Sequence, residues 1–80
     1  NIMIKMYTAN WCTYCVNAKR LLMAKGMEYE EINIVDKGMS REDLFEITGG
    51  RSVPQIVIND KPIGGYDNLL QLDQAGELSA

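Results

Sequence analysis

Residues 2–25 read IMIKMYTANWCTYCVNAKRLLMAK, and this stretch decides the fold. Its beginning, Ile2–Tyr7, is a short and mostly apolar run, which predicts a strand covered on both faces. Its end, Cys15–Lys25, carries apolar residues at helical spacing and predicts a helix. The pair Cys12 and Cys15 therefore lies where a buried strand passes into a helix.

The rest of the chain continues the alternation of strands and helices. In order, we expect a strand at Tyr29–Val35, a helix opened by a capping box at Ser40–Asp43 with Leu44 and Ile47 on its inner face, a strand at Gln55–Ile58, a return strand at Lys61–Gly64 and a helix capped by Asp67. This β-α-β-α-β-β-α order predicts that strands one and two are parallel and that the later hairpin adds an antiparallel pair. Helices must then cover both faces of the sheet.

Length and composition exclude several classes of protein. The 80 residues hold 46% hydrophobic and 24% charged residues, which fits one folded domain over residues 1–80 rather than a disordered tail or a fibre. Eight Lys and Arg against 11 Asp and Glu, a net charge of −3, argue against nucleic-acid binding. No apolar run approaches the ~20 residues of a membrane span. Because residues 1–7 also lack the pattern of a signal peptide, we expect a cytoplasmic protein that binds no membrane. We also expect it to be a monomer.

The motif Cys12-Thr13-Tyr14-Cys15 carries the strongest chemical signal. Only a thiolate is a good nucleophile, and the free N–H groups and dipole of a helix N-terminus stabilise an anion at Cys12. Cys15 lies three residues on, on the same helical face, so it can resolve a mixed disulfide formed at Cys12. A structural disulfide is the weaker interpretation in a cytosolic protein, and two cysteines without any His do not complete a zinc site.

Two further motifs each have a simple and a functional interpretation. In Ser52-Val53-Pro54, the proline either opens a strand or forms a cis peptide that leaves the Val53 backbone free to pair with an extended ligand. Gly64-Gly65-Tyr66-Asp67 is either a turn followed by a helix cap, or a site where a ligand carboxylate meets a helix N-terminus while Asp67 accepts from an ammonium.

Taken together and in this order, the three motifs resemble the glutaredoxin family over essentially the whole chain. The resemblance implies an α/β, thioredoxin-like fold with a central four-stranded mixed sheet flanked by three helices. It also implies that Pro54 is cis and faces Cys12, and that glutathione is the electron donor. The implied activity is glutathione-dependent thiol–disulfide oxidoreduction on oxidised and glutathionylated proteins.

The resemblance also assigns roles to individual residues. Cys12 is the attacking thiolate that becomes glutathionylated, and Cys15 is the second thiol of the dithiol cycle. The expected glutathione-binding residues are Tyr14 in the groove wall, Val53 through its backbone beside Pro54, Tyr66 and Asp67 at the γ-glutamyl end, and Arg51 at the glycyl carboxylate.

The sequence departs from the family pattern near Cys12, and the departures keep two alternatives open. Thr13 replaces a common proline, which makes a [2Fe–2S] cluster bridging two chains possible, with Cys12 and a bound glutathione as the ligands from each chain. Ala9 replaces a basic residue that in the family binds a glutathione carboxylate. The alternative that thioredoxin reductase, rather than glutathione, supplies the electrons therefore stays open. Trp11, directly before Cys12, fits either a surface that docks a partner or an aromatic lid.

Overall fold

A computed structural model describes residues 2–78, so residues 1, 79 and 80 of the predicted domain lie outside the described part. None of the helices in that part is long and apolar enough to cross a membrane. The seven elements follow the predicted order: β1 Ile4–Thr8, α1 Thr13–Ala24, β2 Glu30–Asn33, α2 Arg41–Thr48, β3 Gln55–Ile58, β4 Lys61–Gly64 and α3 Tyr66–Gln74.

The four strands form one mixed sheet in the order β2-β1-β3-β4. The neighbours β1 and β2 are parallel, as a crossover through a helix requires. The pairs β1–β3 and β3–β4 are antiparallel. The predicted fold class, a thioredoxin-like α/β fold with three helices around a four-stranded mixed sheet, is confirmed.

The core lies in two layers, one on each face of the sheet, because side chains alternate along the central strands. Met6 and Ile56, opposite each other in β1 and β3, pack with Ala18 and Leu22 of α1 and Leu69 of α3. On the other face, the buried cluster consists of Tyr7, Ile34, Leu44 and Val57. Thus α1 and α3 cover one face and α2 covers the other, as the burial argument predicts.

Local signals place the start and end of α2. Ser40 accepts a hydrogen bond from the Asp43 N–H at 3.0 Å, and the Asp43 carboxylate accepts from the Ser40 N–H at 3.0 Å, which completes the predicted capping box. Gly49 ends the helix in the left-handed conformation, with φ 80°. Of the two residues predicted on the inner face of α2, Leu44 is buried, as expected. The prediction for Ile47 is wrong, because its side chain is exposed.

The cap of α3 also differs from the prediction. The N-cap residue is Gly65, and its N–H donates to the Asn68 side chain at 3.2 Å. Asp67 lies inside the first turn, where its charge still suits the positive end of the helix dipole. Because Gly65 rather than Asp67 occupies the N-cap, the helix begins at Tyr66, two residues earlier than a cap at Asp67 requires. This shift leaves the Asp67 carboxylate without a capping role.

Candidate active site

The two cysteines lie at the junction of β1 and α1. Cys12 is the N-cap of α1, and its Sγ accepts a hydrogen bond from the Cys15 N–H at 3.1 Å. The two sulfur atoms are at disulfide-bonding distance, and the Cα atoms are 5.2 Å apart. An N–H group directed at Cys12 Sγ is the interaction that stabilises a thiolate at this position.

The two cysteines differ in burial. Cys12 is half-buried, whereas Cys15 is only 2% exposed. A substrate sulfur can therefore approach Cys12 from solvent but cannot reach Cys15 without displacing other atoms. This asymmetry fits Cys12 as the attacking sulfur and Cys15 as the one that acts from beneath it.

The first groove, beside Cys12, has a volume of about 340 Å³. It brings together the second and third motifs with the helix that follows the cysteines. Its lining consists of Tyr14, Ser52, Val53, Pro54, Gly65, Tyr66, Asp67 and Asn68. The Val53–Pro54 peptide bond is cis, and the Val53 carbonyl oxygen lies 3.7 Å from Cys12 Sγ.

The end of the first groove is formed by the start of α3. Gly64 has φ 111°, and a Cβ atom placed on it comes within 2.5 Å of the Asn68 side chain, so a side chain at this position disrupts the turn. Asp67 and the positive end of the α3 dipole therefore border the same part of the groove. A ligand with a carboxylate beside an ammonium matches this pair of charges.

Arg51 lies outside this lining, in contrast to the other predicted binding residues. Its guanidinium donates to both carboxylate oxygens of Glu42, at 3.1 and 3.2 Å, and stacks over the Phe45 ring with its centre 4.1 Å from the centroid. Its backbone carbonyl accepts from Arg41 at 2.9 Å. Arg51 is therefore next to the groove residue Ser52 in sequence, but its side chain does not line the groove in this structure.

The second groove lies on the other side of Cys12 and has a volume of about 490 Å³. It is lined by Ala9, Asn10, Trp11, Cys12, Thr13, Cys15, Val16, Lys19, Glu31 and Asn33. In its wall, Glu31 pairs with the Lys19 ammonium at 2.6 Å and accepts from the Thr8 hydroxyl at 2.8 Å. The hydrogen bond from Lys19 lowers the pKa of the Glu31 carboxyl below its usual value, with Thr8 adding to the effect and partial burial opposing it.

The lowered pKa of Glu31 predicts a pH-dependent contribution to stability. The folded state holds the ionised carboxylate more tightly than the unfolded state, so the contribution is full above the unfolded pKa and is lost as pH falls through the folded pKa. We expect Glu31→Gln to lower the urea midpoint at pH 7, and the difference from wild type to shrink as pH falls through the carboxylate range. Glu30→Gln, at the exposed neighbouring position of β2, is the control. A difference that is constant with pH contradicts the prediction.

Sequence reasoning missed Asn68 in the first groove and Lys19, Glu31 and Asn33 in the second. Asn68 was detectable, because it lies three residues after the N-cap Gly65, where a polar side chain caps a helix. Lys19 was detectable as the residue one turn beyond Cys15 on the same helical face. The positions of Glu31 and Asn33 depend on strand pairing, which no local pattern indicates.

Fold and site together define a thiol–disulfide oxidoreductase, with a redox-capable cysteine pair at a helix N-terminus facing a cis proline. A model of the glutaredoxin family matches residues 4–63. The chain is 42% identical over 77 residues to a glutaredoxin of Pseudomonas aeruginosa, covering 96% of this chain and 92% of that protein. It is 40% identical over 75 residues to glutaredoxin 3 of Escherichia coli, covering 94% and 90%. The chain belongs to the glutaredoxin family.

Solved structures agree with this assignment. A crystal structure of a buckwheat glutaredoxin–glutathione complex superimposes with a TM-score of 0.84 at 29% identity, covering 94% of this chain and 71% of that chain. A structure of E. coli glutaredoxin superimposes with a TM-score of 0.72 at 25% identity, covering 95% and 99%. The likeness therefore includes the whole sheet and all three helices.

No group of three or more metal-ligating side chains occurs within residues 2–78. The predicted [2Fe–2S] cluster takes one protein ligand, Cys12, from each of two chains, so this observation does not bear on it. The cluster stays a prediction from Thr13, and its test is visible absorbance in protein purified without oxygen.

Proposed function

We propose that this protein is a glutathione-dependent oxidoreductase that reduces protein disulfides and protein–glutathione mixed disulfides. The observation that carries the proposal is the first groove, whose Val53 carbonyl lies 3.7 Å from Cys12 Sγ. A ligand extended along this groove presents its own sulfur to Cys12. The buckwheat glutaredoxin, which this chain resembles, was crystallised as a complex with glutathione, the ligand that we propose here.

The proposed reaction has two exchange steps at Cys12. The Cys12 thiolate attacks the glutathione sulfur of a mixed disulfide, a Cys12–glutathione disulfide forms, and the protein thiolate leaves and takes up a proton. The thiolate of a second glutathione then attacks the bound glutathione sulfur, which releases glutathione disulfide and restores Cys12. With a protein disulfide as substrate, Cys15 replaces the second glutathione and closes the Cys12–Cys15 disulfide.

In this proposal, different residues of the first groove bind different parts of glutathione. We propose that the Val53 backbone pairs with the cysteinyl unit of glutathione, that Tyr14 and Pro54 form the walls beside it, and that Tyr66 and Asp67 hold the γ-glutamyl end. Asp67 supplies the charge for the ammonium, and the α3 N-terminus supplies N–H donors for the neighbouring carboxylate.

Arg51 is proposed to bind the glycyl carboxylate after exchanging its partner. The Arg51–Glu42 pair is exposed, with 55% and 71% of the two side chains accessible, and such pairs contribute only about 0–1 kcal/mol. A ligand carboxylate can therefore compete with Glu42 for the guanidinium. This exchange substitutes for the basic residue that is absent at Ala9.

The proposal is tested by measuring reduction of a peptide–glutathione mixed disulfide with glutathione, NADPH and glutathione reductase. Turnover that saturates with glutathione supports it. The alternative donor is tested in parallel with NADPH and thioredoxin reductase. Reduction by that enzyme, together with inactivity toward glutathione, overturns the proposed donor and leaves the oxidoreductase class intact.

Asp67→Asn should raise the KM for glutathione about tenfold, because a hydrogen bond to a charged group contributes about 1.5–3 kcal/mol. The measurement is steady-state kinetics at varied glutathione. Asp60→Asn, in the β3–β4 turn, removes the same charge away from the groove and is the matched control. An equal change in the two variants indicates a general charge effect and contradicts the assigned role of Asp67.

A further inference from the structure

The second groove is not used by the proposed glutathione site, although Cys12 lines it. The first groove extends from Cys12 toward Val53 and α3, whereas the second extends toward β2 and the exposed side of α1. Cys12 therefore lies between two separate grooves. A disulfide that reacts at Cys12 has two halves, and each half needs a place beside the reacting sulfur.

Trp11 is the most unusual residue of the second groove. Its side chain is 102% exposed, and its backbone has φ 61°, in the left-handed region that a bulky residue rarely adopts. The exposed indole adds no burial energy to folding, and the left-handed backbone lowers stability. An uncompensated backbone cost directly before the reacting cysteine indicates a functional constraint on this position.

Hydrogen bonds hold the loop that carries Trp11. The Asn33 amide donates to the Asn10 side-chain oxygen at 3.0 Å. The Asn33 side-chain oxygen accepts from the backbone N–H groups of Val35 and Asp36, at 2.9 and 3.2 Å. The residue before Trp11 is thus tied to the turn after β2, and this contact restrains the loop that carries the indole.

The chemistry of the groove defines what fits it. The Lys19–Glu31 pair cancels its own charge, and the remaining polar groups near Cys12 are the side-chain amides of Asn10 and Asn33 and the hydroxyl of Thr13. The groove therefore suits an uncharged segment of polypeptide, and Trp11 offers an apolar face beside it. A small charged ligand has no unpaired countercharge among these residues.

We propose that the second groove binds the polypeptide segment around the reacting cysteine of a disulfide-containing protein substrate, with an apolar side chain next to that cysteine packed on Trp11. Covalent geometry supports this occupant. In the mixed disulfide, the substrate sulfur lies about 2.05 Å from Cys12 Sγ, and each further residue extends the chain by at most about 3.3–3.6 Å. The residues that flank the substrate cysteine consequently contact the surface next to Cys12.

The reaction at this surface needs no glutathione. The Cys12 thiolate attacks one sulfur of the substrate disulfide and forms the intermolecular disulfide, and one substrate thiolate leaves. Cys15, as a thiolate, then attacks Cys12 Sγ, the Cys12–Cys15 disulfide forms and the second substrate thiolate leaves. The two protons lost by Cys12 and Cys15 are taken up by the two substrate thiolates, and the protein is oxidised by two electrons.

The test is a single-turnover reaction of the reduced protein with two synthetic peptides, each closed by a Cys-x-x-Cys disulfide. One peptide has Phe directly before its first cysteine, and the other has Gly there. We expect wild type to react about tenfold faster with the Phe peptide, since a well-packed aromatic contact contributes on this order. Acid quenching and chromatography of the peptides give the rate constants.

Variants assign this preference to Trp11. Trp11→Ala should reduce the Phe-to-Gly rate ratio to about twofold or less, and Trp11→Phe should restore most of it. Alanine keeps a Cβ atom in the left-handed backbone, so the comparison isolates the indole. The ratio of two peptides also cancels any general change in Cys12 reactivity. Met23→Ala, at a 69% exposed position of α1 outside the groove, should keep the wild-type ratio.

Two results overturn the proposal: a wild-type protein without preference between the peptides, or an unchanged ratio in Trp11→Ala. The proposal rests on the oxidoreductase class rather than on glutathione as donor. Because no glutathione is present in the single-turnover reaction, a failure of the proposed glutathione site leaves this test unaffected. The two proposals can therefore fail independently.

Discussion

A Cys12→Ser variant should lose thiol–disulfide exchange by a factor on the order of 1,000 or more, because removal of a nucleophile leaves only binding and positioning. A serine hydroxyl does not ionise near neutral pH, whereas a thiol at a helix N-terminus does. The position supports this expectation: Cys12 is the half-buried N-cap of α1, and its sulfur accepts the Cys15 N–H. The measurement is the rate of reduction of a peptide–glutathione mixed disulfide.

Cys15→Ser is the informative partner of that variant. Cys15 is buried, so its removal should leave the first attack by Cys12 in place but block the intramolecular second step. With a peptide disulfide as substrate, we expect the Cys12–peptide mixed disulfide to accumulate, and intact-mass spectrometry detects it. Activity in Cys12→Ser, or the absence of a trapped adduct in Cys15→Ser, shows that the two roles have been assigned wrongly.

Leu22→Ala should lower the free energy of unfolding by about 2–5 kcal/mol, because a cavity remains where a fully buried side chain is truncated. Leu22 is 0% exposed and belongs to the cluster between α1, α3 and the sheet. An 80-residue domain has a total stability of about 4–12 kcal/mol, so this one change removes a large share of it. Urea unfolding followed by circular dichroism measures the loss.

The adjacent residue is a matched control for Leu22→Ala. Met23 is next along α1, yet its side chain points outward and is largely exposed. Met23→Ala should therefore change the unfolding free energy by no more than about 0.5 kcal/mol. Equal losses in the two variants require a different account of how α1 packs on the sheet.

Much of the fold follows from short stretches of sequence. The capping box at Ser40, the stop at Gly49 and the turn at Asn59–Asp60 each depend on residues within four positions of one another. The bounds of β3 and β4 were predicted without error for the same reason. The strand before α1 was less well bounded: its predicted start at Ile2 lies two residues before Ile4, where pairing with β3 begins.

Short sequence motifs predicted most of the residues that line the first groove, but not the position of every predicted side chain. Tyr14, Val53, Pro54, Tyr66 and Asp67 all line the first groove, and the order of three motifs sufficed to group them. Arg51 was grouped with them because it precedes Ser52. In this structure its guanidinium instead binds the Glu42 carboxylate and stacks on the Phe45 ring, both on α2. A long charged side chain reaches several partners, and its sequence neighbours do not determine which one it meets.

By itself, the amino-acid sequence determined the class of fold and the place of the reactive sulfur. The reason is that strand and helix periodicity, helix caps and the helix dipole at Cys12 all act over a few residues. The family resemblance implied that Pro54 faces Cys12, but only the tertiary structure placed the Val53 carbonyl, 41 positions away in sequence, 3.7 Å from Cys12 Sγ. It also set the register of β2 against β1, which brings Glu31 to Lys19 and Asn33 to Asn10. Those contacts depend on the assembly of the whole sheet. Elements that are distant along the chain are brought together when the helices pack on both faces of the sheet and bury them.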